Sequence, residues 1–303
     1  MTTVDQEKKI TIVGQEKIIK SIEAIIKSRN GETLPHMIFT GPSGMGKSSL
    51  ANYVAEKSGF PLIIINCPTI KDVKDIDKII LTIETEGQIL FLDEIHAMPK
   101  KAQESLYTVM ENFNYHFMQD ESDEPITWEV PKFTVIGATN NIGKLKESFK
   151  NRFVYYFAIH PYSNEEIAEI IKEASEITID SDALAEYCRG TPRRAKNLLT
   201  WINDFCKAEN IATATHEVIQ HCLEYISVYR YGLTDNDIKY LKFLLARRGD
   251  VIGLSTISSH INLDQELIEN TIEPFLLKEG FIYKKPKGRC INLAVVDKLK
   301  EIL

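Results

Sequence analysis

Nowhere do the 303 residues gather the uninterrupted apolar run of about eighteen that a membrane helix needs, so a membrane span is excluded. Cysteine is scarce. Cys67, Cys188, Cys206, Cys222 and Cys290 stand far apart, with no CxxC pair and no Cys/His cluster. That excludes a zinc centre and predicts reduced, buried thiols. The opening stretch from Met1 to Ile10 mixes acids and lysines and lacks the apolar centre of a signal peptide, which predicts a cytoplasmic location. Positive charge is also in short supply: 36 Lys and Arg face 43 Asp and Glu, for a net charge of −7. Coating of DNA through overall charge is thereby excluded. Such a balance leaves room for a local basic patch, and one stands near the C-terminus.

What is present is the composition of a folded globular chain, 44% hydrophobic and 26% charged, long enough for two or three domains. Residues 1–159 alternate short β-branched runs with helical patterns, which predicts an α/β nucleotide-binding domain with a parallel sheet. The expected strands are Met37–Thr40, Leu62–Asn66, Ile89–Asp93 and Thr134–Thr139. Residues 160–230 look all-helical. Ile167, Ile170 and Ile171 share one face of a first helix, and a second is expected from about Asp180 to Gly190. Thr191 then reads as an N-cap with Pro192 at the first helical position. Residues 231–303 read as three helices (Thr234–Arg247, Ser255–His260, Asp264–Glu279) and a hairpin around Pro286–Gly288, the outline of a winged helix.

Gly41-Pro42-Ser43-Gly44-Met45-Gly46-Lys47-Ser48 fits a phosphate-binding loop between a strand and a helix. Glycines let consecutive N–H groups converge on phosphate, and the following helix start adds a favourable dipole. Lys47 is the expected partner of the β/γ-phosphates, with Ser48 on magnesium and Ser49 beside it. Ile89-Leu90-Phe91-Leu92 then delivers Asp93 and Glu94 at a strand end, and buried carboxylates without a task are costly. Asp93 suits a magnesium-bound water; Glu94 suits the activation of an attacking water. At the end of the next strand Asn140 suits a sensor of the γ-phosphate, although asparagine also favours turns. ATP and Mg2+ are the implied ligands.

Two arginines carry further expectations. Arg152, in Phe149-Lys150-Asn151-Arg152-Phe153, reads by itself as a solvated surface arginine or, in a ring-forming ATPase, as a finger entering the neighbouring subunit's site. Arg193 and Arg194 fall in the first turn of a helix, where the dipole disfavours a cation by roughly 0.3–1 kcal/mol. An anion close by would compensate that cost.

Together these runs resemble one AAA+ family, the RuvB branch-migration motors. The matching stretches are Val13-Gly14-Gln15, Leu92–His96, Glu104, Leu106-Tyr107, Met110–Phe113, Phe133–Thr139, Arg189–Arg193, Gly232–Thr234, Gly253-Leu254, Glu273–Leu277, Glu279–Ile282 and Pro286–Arg289. The resemblance runs from about residue 11 to the end. It implies a hexameric ring that hydrolyses ATP to pull duplex DNA through a four-way junction. Arg152 would be the finger in trans and Arg193 the lid sensor, with Ile12 and Val13 near the nucleotide base. It also implies a junction-binding partner like RuvA on a hairpin at about residues 113–133. Phe113, Tyr115 and Phe117 alternate on one arm of that hairpin, and Ile126, Trp128 and Val130 on the other. Its tip, Gln119–Pro125, is strongly acidic where the family's tip is more apolar. Lys8-Lys9-Ile10 replaces the family's Arg-Pro, Asn140 its usual threonine, and Lys150 an arginine.

The helix Asp264–Glu279 carries Asp264, Glu266, Glu269, Glu273 and Glu279, which would repel phosphate, so reading of a major groove by this helix is not expected. Leu267, Ile268, Ile272 and Phe275 mark it as a core element. Lys284, Lys285, Lys287 and Arg289 crowd the wing and suit a grip on the DNA backbone that carries no sequence information. Two alternatives share parts of this pattern. A clamp-loader subunit would end in a helical collar, and a nucleotide-gated DNA switch would barely hydrolyse ATP.

Overall fold

A computed structural model of the protein describes residues 11–118, 125–247 and 249–295. Lys8-Lys9-Ile10 and most of the acidic hairpin tip lie outside the described residues. The chain divides into two compact units, Met1–Tyr162 and Ser163–Leu303.

The first unit runs α1 (Glu16–Arg29), β1 (Met37–Thr40), α2 (Lys47–Ser58), β2 (Leu62–Asn66), α3 (Val73–Ile80), β3 (Ile89–Asp93) and α4 (Lys100–Asn112). It continues with β4 (Asn114–Met118), β5 (Pro125–Glu129), β6 (Thr134–Thr139), α5 (Glu147–Lys150) and β7 (Tyr155–Ala158). The four strands expected from the sequence have the expected bounds. They join β7 in one parallel sheet of order β2-β3-β6-β1-β7. The three central strands are apolar runs because a parallel strand is covered on both faces. Ile38, Leu90, Leu92 and Val135 pack into one cluster with Leu106 and Val109 of α4 and with Phe149 and Phe153 around α5. With every strand pointing the same way, all their carboxyl ends open on one edge, and the polar loops gather there. β4 and β5 form a separate antiparallel hairpin with Tyr115 opposite Trp128. The side chains of Phe117 and Ile126 lie outside the described residues.

The second unit begins with α6 (Asn164–Ala174), whose Ser163 and Glu166 form a reciprocal capping box. There follow β8 (Thr178–Ile179), α7 (Ser181–Ala185), α8 (Pro192–Ala208), β9 (Thr213–Ala214), α9 (His216–Glu224), β10 (Val228–Tyr229) and β11 (Leu233–Thr234). Then come α10 (Asp235–Ala246), α11 (Leu254–Ile261), α12 (Gln265–Leu267), α13 (Glu273–Lys278), β12 (Ile282–Lys285) and β13 (Gly288–Ile291). The helix expected as far as Gly190 stops instead at Ala185 and continues as turns. The helix expected over Asp264–Glu279 is also broken, by a π turn at Ile268–Ile272 between α12 and α13. Pro274 accounts for it: proline has no N–H to donate and its ring crowds the preceding turn, so the backbone widens ahead of it. Ile268 and Ile272 are buried as expected, whereas Leu267 is exposed.

One knot joins the elements of this unit. The carbonyl of Gly232 accepts from Arg189 (Nε at 2.9 Å, a terminal nitrogen at 2.6 Å) and from Arg194 at 2.8 Å. Asp237, buried at the start of α10, accepts from Arg189 at 2.5 Å and from the Thr234 amide at 2.7 Å. Only glycine fits at 232: φ is +70°, and a Cβ there would lie 2.4 Å from the Tyr187 carbonyl.

Candidate nucleotide and DNA sites

The loop between β1 and α2 is built from backbone conformations that side chains disfavour. Gly41, Gly44 and Gly46 have φ of +150°, +81° and +88°. A Cβ on Gly41 would lie 2.7 Å from the Ile159 carbonyl. Lys47 is buried, and its Nζ donates to the carbonyls of Gly41 and Pro42, each at 2.8 Å. It thereby closes the loop while its ammonium stays at the loop's centre. Pro42, Ser43, Ser48 and Ser49 are exposed, and Met45 is buried. Tyr162 donates from its hydroxyl to the Met45 carbonyl at 3.4 Å.

β6 lies between β1 and β3, so the three strand ends that carry the loop, the acids and the sensor are consecutive along one sheet edge. Gly41 N–H donates to the Thr139 carbonyl at 3.1 Å and ties the loop to that edge. Asp93 closes β3 and accepts from the Glu94 amide at 3.0 Å. Glu94 has left-handed backbone (φ +54°), an uncommon state for glutamate that turns it out of the strand. Its Oε2 is 3.4 Å from His96 Nε2, and His96 Nδ1 is 3.0 Å from the Thr139 hydroxyl. Thr139 Oγ1 also accepts from the Asn141 amide at 2.9 Å. A polar chain thus links Glu94 to the sensor strand, and Asn140 is exposed beside it. Sequence reasoning assigned no role to His96 or Thr139. Beneath the acids, burial raises the Cys67 thiol well above its usual range, with Asp93 and Glu94 adding to the effect. This cysteine, like the other four, is free and buried.

The residues fit the expected ligands. Asp93 and Ser48 offer hard oxygen atoms, the type magnesium prefers, and the glycine loop offers amides around an ammonium. Val13 is buried and Ile12 half-buried; Gln15 donates to the His160 carbonyl at 2.8 Å, which holds this segment beside the end of the last strand.

Arg152 follows α5 and is half-buried. It pairs with Glu111 at 2.7 Å and lies 5.5 Å from the centre of the Tyr107 ring. In the second unit the two neighbouring arginines of α8 divide. Arg193 is exposed, whereas Arg194 turns inward onto the Tyr187 and Gly232 carbonyls. Burial, with Arg189 close by, lowers the Arg194 guanidinium to about 10.

The wing separates what the sequence grouped together. Lys284, Lys285 and Lys287 are exposed, but Arg289 is buried on β13 and faces away from solvent. It donates to Glu273 at 2.6 Å and to Glu269 at 2.7 Å, while the Tyr240 hydroxyl donates to Glu273 at 2.9 Å. The expectation that Arg289 grips DNA is therefore corrected: the buried Glu273 and the exposed Glu269, which also pairs with Lys284 at 3.3 Å, hold it against the helix.

Three family models match the chain in series: the Holliday junction DNA helicase RuvB P-loop domain over residues 7–159, the RuvB AAA lid domain over 162–229, and the RuvB C-terminal winged helix domain over 230–300. The chain belongs to the RuvB family. The RuvB subunit of the Holliday junction branch migration complex from a Nitratiruptor species is 36% identical, over 95% of this chain and 89% of its own. That from Campylobacter curvus is 35% identical over 91% and 85%. Among solved structures, the Thermotoga maritima RuvB Holliday junction branch migration motor superposes with a TM-score of 0.78 at 28% identity, covering 95% of both chains. Among the described residues of this RuvB-family chain, no helix is long and apolar enough to cross a membrane.

Proposed function

We propose that this chain is an ATP-hydrolysing motor subunit that drives branch migration of four-way DNA junctions as part of a homo-oligomeric ring, a hexamer by analogy with its family. The observation that carries this reading is the sheet order, in which the sensor strand β6 separates the loop strand β1 from the acid strand β3. Family membership over nearly the whole chain supports the DNA substrate. The winged-helix match argues against a clamp-loader subunit, which would end in a helical collar.

In the mechanism, Gly41–Gly46 amides cradle the phosphates and Lys47 holds the β/γ oxygens. Ser48, and Asp93 through a water, would hold magnesium, which would supply charge neutralisation at the phosphates. Glu94 orients the attacking water and takes its proton. Asn140 contacts the γ-phosphate and that water, so the sensor strand differs with nucleotide state. Arg152 enters the neighbouring subunit's site, Arg193 reaches the phosphates from the lid, and Ile12 and Val13 flank the base. Lys284, Lys285 and Lys287 hold the DNA backbone without reading bases. A RuvA-like protein on the β4–β5 hairpin would bring the ring to the junction, and the machine would work on cytoplasmic DNA.

The test is the ATPase rate with and without four-way junction DNA. It is measured for wild type, Arg152→Ala, Glu94→Gln and a one-to-one mixture of the two variants. Stimulation by DNA, two inactive variants and recovery in the mixture are expected. Turnover indifferent to DNA and to Arg152 would instead make the chain a nucleotide-gated switch.

A further inference from the structure

Arg152 has an anchored root and a guided end. Its amide donates to the Phe149 carbonyl at 3.1 Å, and it sits between Phe149 and Phe153, which meet edge to face at 5.4 Å in the core. Four freely rotating bonds separate that root from the guanidinium, so the root alone does not aim it. The end is guided by α4. Tyr107 and Glu111 stand four residues apart, which places them on one helix face. The Tyr107 ring lies 5.5 Å from the guanidinium carbon, and Glu111 Oε2 holds one terminal nitrogen at 2.7 Å. Arg152 Nε is buried and has no acceptor among the described residues. One edge of the guanidinium is therefore tied to the subunit's own helix by a single carboxylate contact, not by a closed two-bond fork. On the same face Lys146, just ahead of α5, pairs with Glu104, so the segment carrying Arg152 is fastened to α4 at two points.

We propose that Tyr107 and Glu111 are positioning residues that aim Arg152 at the neighbouring subunit's phosphates, an inference that rests on the reading of Arg152 as a finger. The Glu111 contact is half exposed, and such pairs are weak in water. It orients the guanidinium without competing strongly against a phosphate, which carries more charge and more acceptors. Removing the guide leaves the charge in place but spreads it over many rotamers. The loss then falls on turnover rather than on ATP binding.

The experiment uses Glu111→Ala, Glu111→Gln and Tyr107→Leu in the full-length chain with junction DNA, with ring assembly followed by sedimentation. Glu111→Ala is expected to lower kcat about tenfold with the KM for ATP little changed, as misaimed catalytic groups do. Glu111→Gln, which keeps an acceptor oxygen, should recover most of the rate. A positioning role predicts asymmetric complementation. Glu111→Ala mixed one-to-one with Glu94→Gln should regain activity, because the Glu94→Gln subunit lends a sound finger to an intact site. Mixed with Arg152→Ala it should regain none. An unchanged or raised rate in Glu111→Ala would overturn the proposal. So would failure of its mixture with Glu94→Gln where Arg152→Ala recovers in the same pairing, since Glu111 would then act within its own site or on assembly. If Arg152→Ala itself fails to recover with Glu94→Gln, it is the finger reading that falls.

Discussion

At the scale of single residues the first unit contains a histidine that cannot change its charge without cost. His36 accepts from the Val135 amide at Nδ1 (2.9 Å) and donates from Nε2 to the Met110 carbonyl (3.2 Å), so only the neutral ring satisfies both. Burial lowers it from 6.5 to about 4, partly offset by the Met110 contact. Below pH 6.5 the unfolded chain takes up a proton that the folded one refuses until about pH 4. Stability is therefore complete above 6.5 and falls by up to about 3 kcal/mol on acidification to pH 4. Urea unfolding of wild type and His36→Asn at pH 7, 5.5 and 4.5 checks this. The wild type should lose the extra stability and the variant should not; parallel decline in both would remove His36 from the account. Gly41→Ala makes a second prediction. With φ at +150° and a carbonyl 2.7 Å from the new Cβ, the loop must shift. Nucleotide should then no longer raise the melting temperature, whereas an unaltered ligand-induced shift would contradict the strain.

At the scale of elements the sequence was legible wherever burial is two-sided. β1, β3 and β6 were found with their bounds because covered strands leave apolar runs ended by polar loops, and the half-exposed edge strand β2 because Ile63, Ile64 and Ile65 make a β-branched run. β7 was not found: Tyr155–Ala158 alternates half-buried and exposed positions along a sheet edge, and short aromatic alternation gives no comparable signal. The placement of Lys47 at the start of α2 and of Asp93 and Glu94 at the end of β3 was legible because their spacing is local. The Glu94–His96–Thr139 chain and the Tyr107–Glu111 guide were not, since they depend on which strand and helix become neighbours. Arg289 was misread for the same reason: four cations in six residues look alike until β13 turns one of them inward. That difference makes a prediction. Arg289→Ala should destabilise the wing by about 3–5 kcal/mol, because it strands the buried Glu273. Lys287→Ala should leave the melting temperature unchanged and weaken DNA binding. Similar melting curves for both variants would contradict this division.

At the scale of the whole molecule, if the exposed wing lysines hold DNA as proposed, the net charge of −7 and their small number, with Lys284 also paired to Glu269 at 3.3 Å, would give a modest ionic contribution to DNA affinity. The logarithm of affinity against the logarithm of salt should fall with a slope of about −3 per engaged subunit, three phosphates at roughly 0.9 each. A much steeper slope would require cations beyond the wing. The knot at Gly232 bears on how force reaches that wing. Arg189 and Arg194 lie in the stretch matched to the lid, while Gly232 and Asp237 lie in the stretch matched to the winged helix. Three donor contacts converge on one carbonyl there and a carboxylate closes the ring, so the joint has little room to flex. An elbow fused in this way makes forearm and upper arm one crank. A rotation imparted to α8 would carry the lysine-tipped end with it.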